Sequence, residues 1–159
     1  MITIRPYRPA DAPALAALFF ASVRQAGLRD YSRAQVEAWA PEPPDPRSFE
    51  RRAAKRLSFL VATGEADGPV GYIDLEADGH IDHMYLRPEF VGKGVGSQLY
   101  DALETAARTH GVYRLYVEAS EAARRMFLRK GFQVVARRDF AVRGVAIHNY
   151  AMEKDLETP

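Results

Sequence analysis

Three glycines stand at alternate positions where a predicted strand runs into a predicted amphipathic helix, within the segment HIDHMYLRPEFVGKGVGSQ of residues 80–98. The first backbone N–H groups of a helix have no intrahelical partner, and the positive end of the helix dipole lies behind them, so anions bind there. Gly92, Gly94 and Gly96 would let a phosphate approach these amides closely, and Lys93 adds a mobile positive charge. The segment therefore predicts a pyrophosphate site.

The spacing of the glycines can be compared with other glycine-rich loops, namely a simple packing turn, a Walker A loop and a dinucleotide-binding loop. Packing alone can make a strand-to-helix turn rich in glycine. A Walker A loop requires Lys followed by Ser or Thr after its second glycine, whereas Gly96 is followed by Ser97 and Gln98. A dinucleotide fingerprint requires Gly-x-Gly-x-x-Gly and an acidic residue about 20 positions later. Here the spacing is Gly-x-Gly-x-Gly, although Glu118 ends the next strand, so NAD stays an alternative ligand.

The periodicity of apolar residues predicts the elements that position this loop. The predicted helices, with their caps, cover residues 11–27, 32–39, 48–56, 95–110 and 120–131. The predicted strands cover residues 2–5, 58–63, 70–76, 80–87, 115–117, 132–142 and 145–153.

The lengths of the connections indicate how the strands pair. The links at residues 64–69 and 77–79 are too short for a parallel crossover, so the strands around them should form an antiparallel meander. Strand, helix and strand follow one another over residues 80–118, which implies one parallel pair. A Rossmann domain would continue this alternation, but hairpins flank it on both sides, which makes NAD the minor alternative. The fold class is therefore α/β (α+β) with a mixed sheet.

Composition narrows the class of protein. The 159 residues, 47% hydrophobic and 27% charged, predict a single domain over residues 1–159. A formal net charge of +1 gives no support to nucleic acid as a partner. No apolar run approaches the roughly 20 residues that span a bilayer, which argues against a membrane partner. The sequence has no cysteine, so disulfides and thiolate ligands are excluded, and we expect a cytoplasmic protein.

These residues together resemble the GNAT superfamily of acyl-CoA-dependent N-acyltransferases over nearly the whole chain. The first family pattern is Gln or Arg, two residues, Gly, one residue, then Gly or Ala. It corresponds to the run from Val91 to Gly96, preceded by the strand ending Leu86-Arg87-Pro88. The second family pattern, Asn-x-x-Ala-x-x-x-Tyr followed by Gly-Phe, corresponds to Ser120, Ala123, Phe127 and the pair Gly131-Phe132. The segments YSRAQVEAWAP, GHIDHMYLRPEF, VEAS and GVAIHNYAMEKDL further resemble a YafP-like subgroup.

The resemblance implies a largely antiparallel sheet of about seven strands, with helices on both faces and one splayed parallel pair that admits acetyl-CoA. Backbone groups of Met84, Tyr85 and Leu86 would bind the pantetheine arm like an added strand. Helices near Tyr31 and Trp39 would help to form the acceptor pocket. The remaining cofactor contacts would come from Val91, Gly92, Lys93, Gly94, Val95, Gly96, Ser97, Ser120, Ala123 and Phe127.

Three positions depart from the family pattern. Val91 replaces Gln or Arg and leaves the backbone cradle intact. Ser120 replaces Asn, where it can cap a helix and still donate a hydrogen bond. Phe127 stands where many members carry a tyrosine that is taken to protonate the leaving thiolate. Because a thiol of pKa about 8.5 is a fair leaving group, loss of this acid is survivable.

Acetyl transfer to an amine needs a base more than an acid, since an alkyl amine is only about 0.04% neutral at pH 7. Asp82, His83 and Glu118, in that order, are the candidate bases on the two splayed strands, and Tyr85 is a candidate acid. Strict alternation would place Asp82 with His80, Met84 and Leu86, and His83 with Ile81 and Tyr85. We therefore expect Asp82 and His83 to point to opposite faces.

The predicted activity is direct acetyl transfer from acetyl-CoA to an amine acceptor, either a small molecule or a peptide, without a metal. A non-catalytic acyl-CoA-binding or sensing module is the alternative, because Phe127 replaces the usual tyrosine. The residues do not fix the oligomeric state, and a homodimer is one arrangement that they allow.

Overall fold

The computed structural model describes residues 1–157 and contains the predicted elements in the predicted order. The helices are α1 (Ala12–Arg24), α2 (Arg33–Trp39), α3 (Arg47–Ala54), α4 (Val95–Thr109) and α5 (Glu121–Arg129). The strands are β1 (Ile2–Pro6), β2 (Ser58–Gly64), β3 (Gly68–Leu75), β4 (His80–Leu86), β5 (Arg114–Ala119), β6 (Gln133–Val142) and β7 (Val145–Asp155). Short 3₁₀ turns cover Pro9–Asp11, Ala26–Arg29 and Pro88–Phe90.

All seven strands form one sheet in the order β1-β2-β3-β4-β5-β7-β6. Every neighbouring pair is antiparallel except β4 and β5, which run parallel. This arrangement confirms the predicted meander, the final hairpin and the single parallel pair. The α4 helix makes the crossover between the two parallel strands, as the spacing of the chain requires.

The sheet is covered by helices on both faces, as predicted. Consecutive residues of β3 show this directly, because Ile73 belongs to the cluster formed with α4 and α5, whereas Tyr72 packs in the cluster with α1 and α3. Leu99 and Leu103 of α4 fill the first cluster, and Leu15 of α1 fills the second. The central strand β3 therefore buries both of its faces between the helices.

None of the helices within residues 1–157 is both long and apolar enough to cross a membrane.

Candidate active site

The parallel strands β4 and β5 separate after only two paired positions. His80 faces Tyr116 and Ile81 faces Val117, and beyond this point β5 continues beside β7 alone. The backbone N–H of Arg87 donates to Val70 on β3. By the alternation of an antiparallel pair, the backbone groups of Met84 and Leu86 then face the gap. The gap thus offers unpaired strand edge to a ligand.

A cavity of about 410 Å³ occupies this gap and reaches the glycine loop. That volume lies in the usual range of small-molecule sites. Most of the predicted cofactor residues line it, namely Met84, Tyr85, Leu86, Val91, Gly92, Gly94, Gly96, Ser97, Ser120, Ala123 and Phe127. Two predicted residues do not, because Lys93 is exposed with its Nζ 5.5 Å from the Phe90 ring centre and Val95 is buried in the core.

The glycine loop is open in front of its backbone. Gly92 and Gly94 have φ angles of +82° and +83°, and a Cβ built on either would meet no atom within 4 Å. By contrast, a Cβ on Gly71 would lie 2.5 Å from Leu86, as expected where a glycine is needed for packing. Packing is therefore not the reason for Gly92 and Gly94. Gly94 also occupies the N-cap position of α4, so the free N–H groups of that helix adjoin the open loop.

The second cofactor region is the start of α5. Ser120 caps this helix, since its hydroxyl accepts the backbone N–H of Ala123 at 3.3 Å. Phe127 lies further along the helix and is fully buried between the rings of Tyr100 and Phe132, at centroid distances of 5.9 Å and 4.8 Å. Phe127 thus contributes to the cavity wall and belongs to the core at the same time.

The expectation that Asp82 and His83 point to opposite faces is wrong. The pairing of β3 with β4 shifts register between Ile73 and Leu75, so that both residues lie opposite Asp74 alone. This is a β-bulge, which interrupts strict alternation. The guanidinium of Arg52 consequently contacts both the carboxylate of Asp82 and Nε2 of His83, the latter at 3.1 Å.

Asp82 lines the cavity while arginines hold one of its oxygens. Its Oδ2 accepts hydrogen bonds from Arg52 and Arg56, the latter at 2.8 Å, and about a third of its side chain is exposed (32%). Burial alone would raise the pKa of Asp82, but the hydrogen bond and charges of these arginines outweigh it and lower that pKa. Asp82 is therefore a persistent anion and a weak base.

His83 lies outside this cavity, and its half-buried side chain faces a separate hollow beside α3. Its Nδ1 lies 3.0 Å from the hydroxyl of Tyr72, and its ring stacks on Phe19 at a centroid distance of 5.4 Å. Burial and the positive charge of Arg52 lower the pKa of His83 to about 4, so the imidazole is neutral at pH 7. These contacts indicate that His83 supports the bulge.

Glu118 also lines the cavity, just beyond the last paired residues of β4 and β5. Its Oε1 lies 2.8 Å from Nε2 of His80, whose Nδ1 lies 2.6 Å from Glu76. A neutral imidazole has one N–H, so both contacts can be hydrogen bonds at once only when His80 is protonated. Burial by itself would lower the pKa of His80, but the two carboxylates outweigh it and raise that pKa.

Tyr85 lies on the α1 side of the cavity. Its ring contacts Phe19 edge-on, at a centroid distance of 4.8 Å, and burial raises the pKa of Tyr85 to about 12. The hydroxyl therefore stays protonated at neutral pH. Trp39 and Tyr31, the predicted acceptor-pocket residues, line the same cavity.

The segment after α1 forms part of the cavity wall. The Tyr31 hydroxyl donates to the carbonyl of His148 on β7 at 3.0 Å and accepts the N–H of Glu121 on α5 at 3.1 Å. Asp30, beside it, pairs with Arg125 of α5 at 3.0 Å. These contacts join the α1–α2 connection to α5 and β7.

Several residues of the site were not predicted from the sequence. Asp74 is fully buried and accepts the N–H of His83 at 2.8 Å, together with hydrogen bonds from Arg52 and Arg56. Two signals could have indicated this cluster: a charged residue within the apolar strand GPVGYIDL, and two arginines at i, i+4 spacing on α3 and just after it. The cavity wall also includes the unpredicted residues Phe140, Ile147, His148 and Asn149.

Glu76, His80 and Asp82 bring ligand atoms within 4.8 Å of one another, as a metal site would. Their charges are already compensated, however. Arg56 lies 3.7 Å from Glu76 and 2.8 Å from Asp82, and both imidazole nitrogens of His80 face carboxylates. The donor set therefore fits an ion-pair network better than a metal ion.

Comparisons with known proteins bear on the family of the chain. The model of the acetyltransferase (GNAT) domain matches residues 27–154. The uncharacterized N-acetyltransferase YafP of Escherichia coli strain K12 is 31% identical over 151 residues, which are 95% of this chain and 94% of that protein.

Solved structures show the same fold. A GCN5-related N-acetyltransferase from Rhodopseudomonas palustris is 38% identical, with a TM-score of 0.87 over 97% of this chain and 95% of that one. A phosphinothricin acetyltransferase from Sinorhizobium meliloti, solved in complex with acetyl-CoA, is 20% identical, with a TM-score of 0.78 over 98% of this chain and 88% of that one.

Proposed function

Since the chain belongs to the GNAT acetyltransferase family, we propose that it transfers the acetyl group of acetyl-CoA directly to an amine within a ternary complex. The chain is an N-acetyltransferase by family and fold. The observation that carries the direct mechanism is the continuous cavity that joins the open glycine loop to two carboxylates at the strand gap. Without cysteine, the chain has no thiol to carry an acyl intermediate.

The residues around the gap fit acetyl-CoA. Exposed strand edge at Met84 and Leu86 would bind the pantetheine amides, and the N–H groups from Gly92 to Ser97 would hold the pyrophosphate. The open space in front of Gly92 and Gly94 supports this assignment. When bound, acetyl-CoA supplies a thioester carbonyl and a thiolate leaving group.

We assign the base to Glu118 in place of Asp82. Both line the cavity, but the arginines that lower the pKa of Asp82 make it a poor proton acceptor and a good anchor for an ammonium group. Glu118 faces the imidazole of His80. With His80 neutral and its proton on Nδ1, Nε2 could take the amine proton from Glu118 while the Nδ1 proton passes to Glu76, whose side chain is 38% exposed.

Two further steps of the transfer are stabilisation of the oxyanion and protonation of the leaving thiolate. Backbone N–H groups at the gap edge of β4 would stabilise the oxyanion that develops on the thioester carbonyl. Tyr85 keeps its proton at neutral pH and could donate it to the thiolate, although its raised pKa makes it a weak acid. None of these steps needs a metal ion.

Steady-state release of CoA thiol in the presence of an amine panel tests this function. Acetyl-CoA should stabilise the protein against heat, and at least one amine should be acetylated with stoichiometric thiol release. Stabilisation by acetyl-CoA without turnover for any amine would favour the sensing alternative. Stabilisation by NAD and not by acetyl-CoA would contradict the assignment of the glycine loop.

The wider setting belongs to the same proposal. The continuous sheet supports one domain over residues 1–159, and a chain without cysteine suits the reducing cytoplasm.

The edge strand β6 exposes Val134 and Val135, the latter by 61%, which supports a homodimer formed through this strand. Light scattering at micromolar concentration would give the molar mass, and one chain's 17.8 kDa would contradict the dimer.

A further inference from the structure

The wall of the cavity on the α2 and β6–β7 side is aromatic and apolar. The rings of Trp39 and Phe140 meet edge-on at a centroid distance of 6.0 Å. Tyr85, Val36 and Ile147 extend the same wall. Both strands and helices contribute to it, so the surface is held by the fold as a whole. A flat, hydrophobic group would gain most by binding here.

The end of the cavity at the strand gap is negatively charged. Asp82 and Glu118 each use one carboxylate oxygen in their contacts with the arginines and His80, and the second oxygen, Oδ1 or Oε2, receives no hydrogen bond from residues 1–157. Four carboxylates, those of Asp74, Glu76, Asp82 and Glu118, face two guanidiniums and one imidazole. The cluster is therefore negative whether or not His80 is protonated.

The cations near the aromatic wall already donate to protein oxygens. Arg143 binds the carbonyl of Ala38 at 2.5 Å, and Arg138 binds Oδ1 of Asn149 at 3.1 Å. The cationic residues that line the described cavity itself, Arg29, Arg125 and Arg129, belong to the turn after α1 and to α5. Arg125 pairs with Asp30, whereas Arg29 and Arg129 make no hydrogen bond or ion pair within residues 1–157. A carboxylate next to the amine nitrogen would thus meet two anions at the gap, while these two unpaired cations of the described cavity lie on the turn after α1 and on α5.

We propose that the acceptor is an aralkylamine, a primary amine with an aromatic body and no carboxylate beside the nitrogen. This inference rests on the proposed function. The ammonium group binds Asp82 and Glu118, and the aromatic body packs against Trp39 and Phe140. An α-amino acid is rejected because its carboxylate would lie next to the same two anions, a repulsion that costs far more than the added size.

The test compares matched acceptors in the thiol-release assay with saturating acetyl-CoA. Phenethylamine and L-phenylalanine differ only by the carboxylate, and L-phenylalanine amide restores the size without the charge. We expect kcat/KM for phenethylamine to exceed that for phenylalanine by about 100-fold or more. The amide should recover most of the difference.

Variants of the wall give a second measurement. Trp39→Ala should raise KM for phenethylamine about tenfold or more, Trp39→Phe should restore most of it, and neither should change the thermal shift caused by acetyl-CoA. Equal use of phenylalanine and phenethylamine would overturn the inference. Acetylation of peptide amines, with phenylalanine and phenethylamine both unreactive, would also overturn the inference. That outcome would still agree with the proposed function. Absence of any thermal shift with acetyl-CoA would instead overturn the proposed function, and this inference with it.

Discussion

His80 lies between two carboxylates, with Nε2 2.8 Å from Glu118 and Nδ1 2.6 Å from Glu76. The imidazole also stacks on Tyr116, at a centroid distance of 4.8 Å, and this contact fixes the plane of its ring. Glu118 lines the cavity and Glu76 is partly exposed, so the three side chains connect the reaction site to solvent. A proton can cross this distance when His80 is neutral, because Nε2 then accepts a proton from Glu118 while Nδ1 gives its proton to Glu76.

The raised pKa of His80 makes its contribution to stability depend on pH. The folded protein holds this proton more tightly than the unfolded chain does, so the contribution is complete below about pH 6.5 and disappears as pH rises through the folded-state pKa. We expect His80→Gln to lower the free energy of unfolding by roughly 1–3 kcal/mol at pH 6 and by clearly less at pH 9. Urea unfolding at both pH values measures the difference.

The matched control is His110→Gln. Within residues 1–157 that imidazole bonds only the carbonyl of Ala106, at the end of α4 and outside the cavity wall. Its loss should change stability by a similar small amount at both pH values. An equal effect of His80→Gln at pH 6 and pH 9 would show that the imidazole is not held charged between the carboxylates.

The fold could be predicted because local signals agree with the final arrangement. Ser32 and Gln35 are an example, since their capping-box spacing predicts the start of a helix. In the structure the Ser32 hydroxyl accepts the backbone N–H of Gln35 at 3.1 Å, and the Gln35 side chain accepts the backbone N–H of Ser32 at 2.8 Å. The short links between β2, β3 and β4 allow only antiparallel pairing, and the long connection through α4 allows β4 and β5 to pair in parallel.

The candidate site could be predicted only in part. The residues of the glycine loop are contiguous in sequence, so the spacing of its glycines is enough to predict the conformation of the loop. The bulge at Asp82 and His83 depends on the buried carboxylate of Asp74, which accepts the extra N–H from another strand. The alternation of side chains along a strand, read from sequence, does not reveal where one extra residue interrupts it. The arginines of the α3 region contact the bulge only through tertiary packing, which the sequence does not show either.

Gly94→Val should abolish binding of acetyl-CoA. A branched side chain at φ of +83° would fill the open space before the α4 amides and strain the loop. In the wild type, acetyl-CoA at about 100 times its dissociation constant should add roughly 2.7 kcal/mol to the free energy of unfolding, visible as a higher melting temperature. The variant should show no such rise.

Gly111→Val separates the ligand effect from backbone strain. Gly111 also has positive φ (+72°) and open space around it, but it lies at the other end of α4 and outside the cavity wall. Both variants should lose intrinsic stability, and only Gly94→Val should lose the response to acetyl-CoA. A normal response of Gly94→Val would mean that the loop is only a turn.

Phe127→Tyr should not restore a strong general acid. The ring is fully buried against Tyr100 and Phe132, so the added hydroxyl would cost about 1–3 kcal/mol of stability if it finds no partner. Turnover should change less than about tenfold, because a thiolate leaves without much help. Differential scanning calorimetry and steady-state kinetics measure the two effects. A gain of a hundredfold in kcat would mean that protonation of the thiolate limits the natural enzyme.

Glu118→Gln and Asp82→Asn distinguish the base from the anchor. Glu118→Gln should lower kcat by about 10² or more at neutral pH with little change in KM for the amine, since general bases contribute on that scale. Asp82→Asn should mainly raise KM for the amine, because it removes the anion that binds ammonium. The thermal shift with acetyl-CoA should be nearly unchanged in both variants, which shows that the cofactor site is intact.

The reverse result would reassign the base. If Asp82→Asn loses kcat while Glu118→Gln is close to wild type, Asp82 is the base despite its arginines, as the sequence pattern favours. His83→Gln serves as the third comparison, since it should lower stability through the lost contact with Tyr72 and leave kcat within about tenfold. Should Glu118→Gln and Asp82→Asn both keep full kcat, no side-chain base acts, and desolvation of the amine in the aromatic cavity must supply its neutral form.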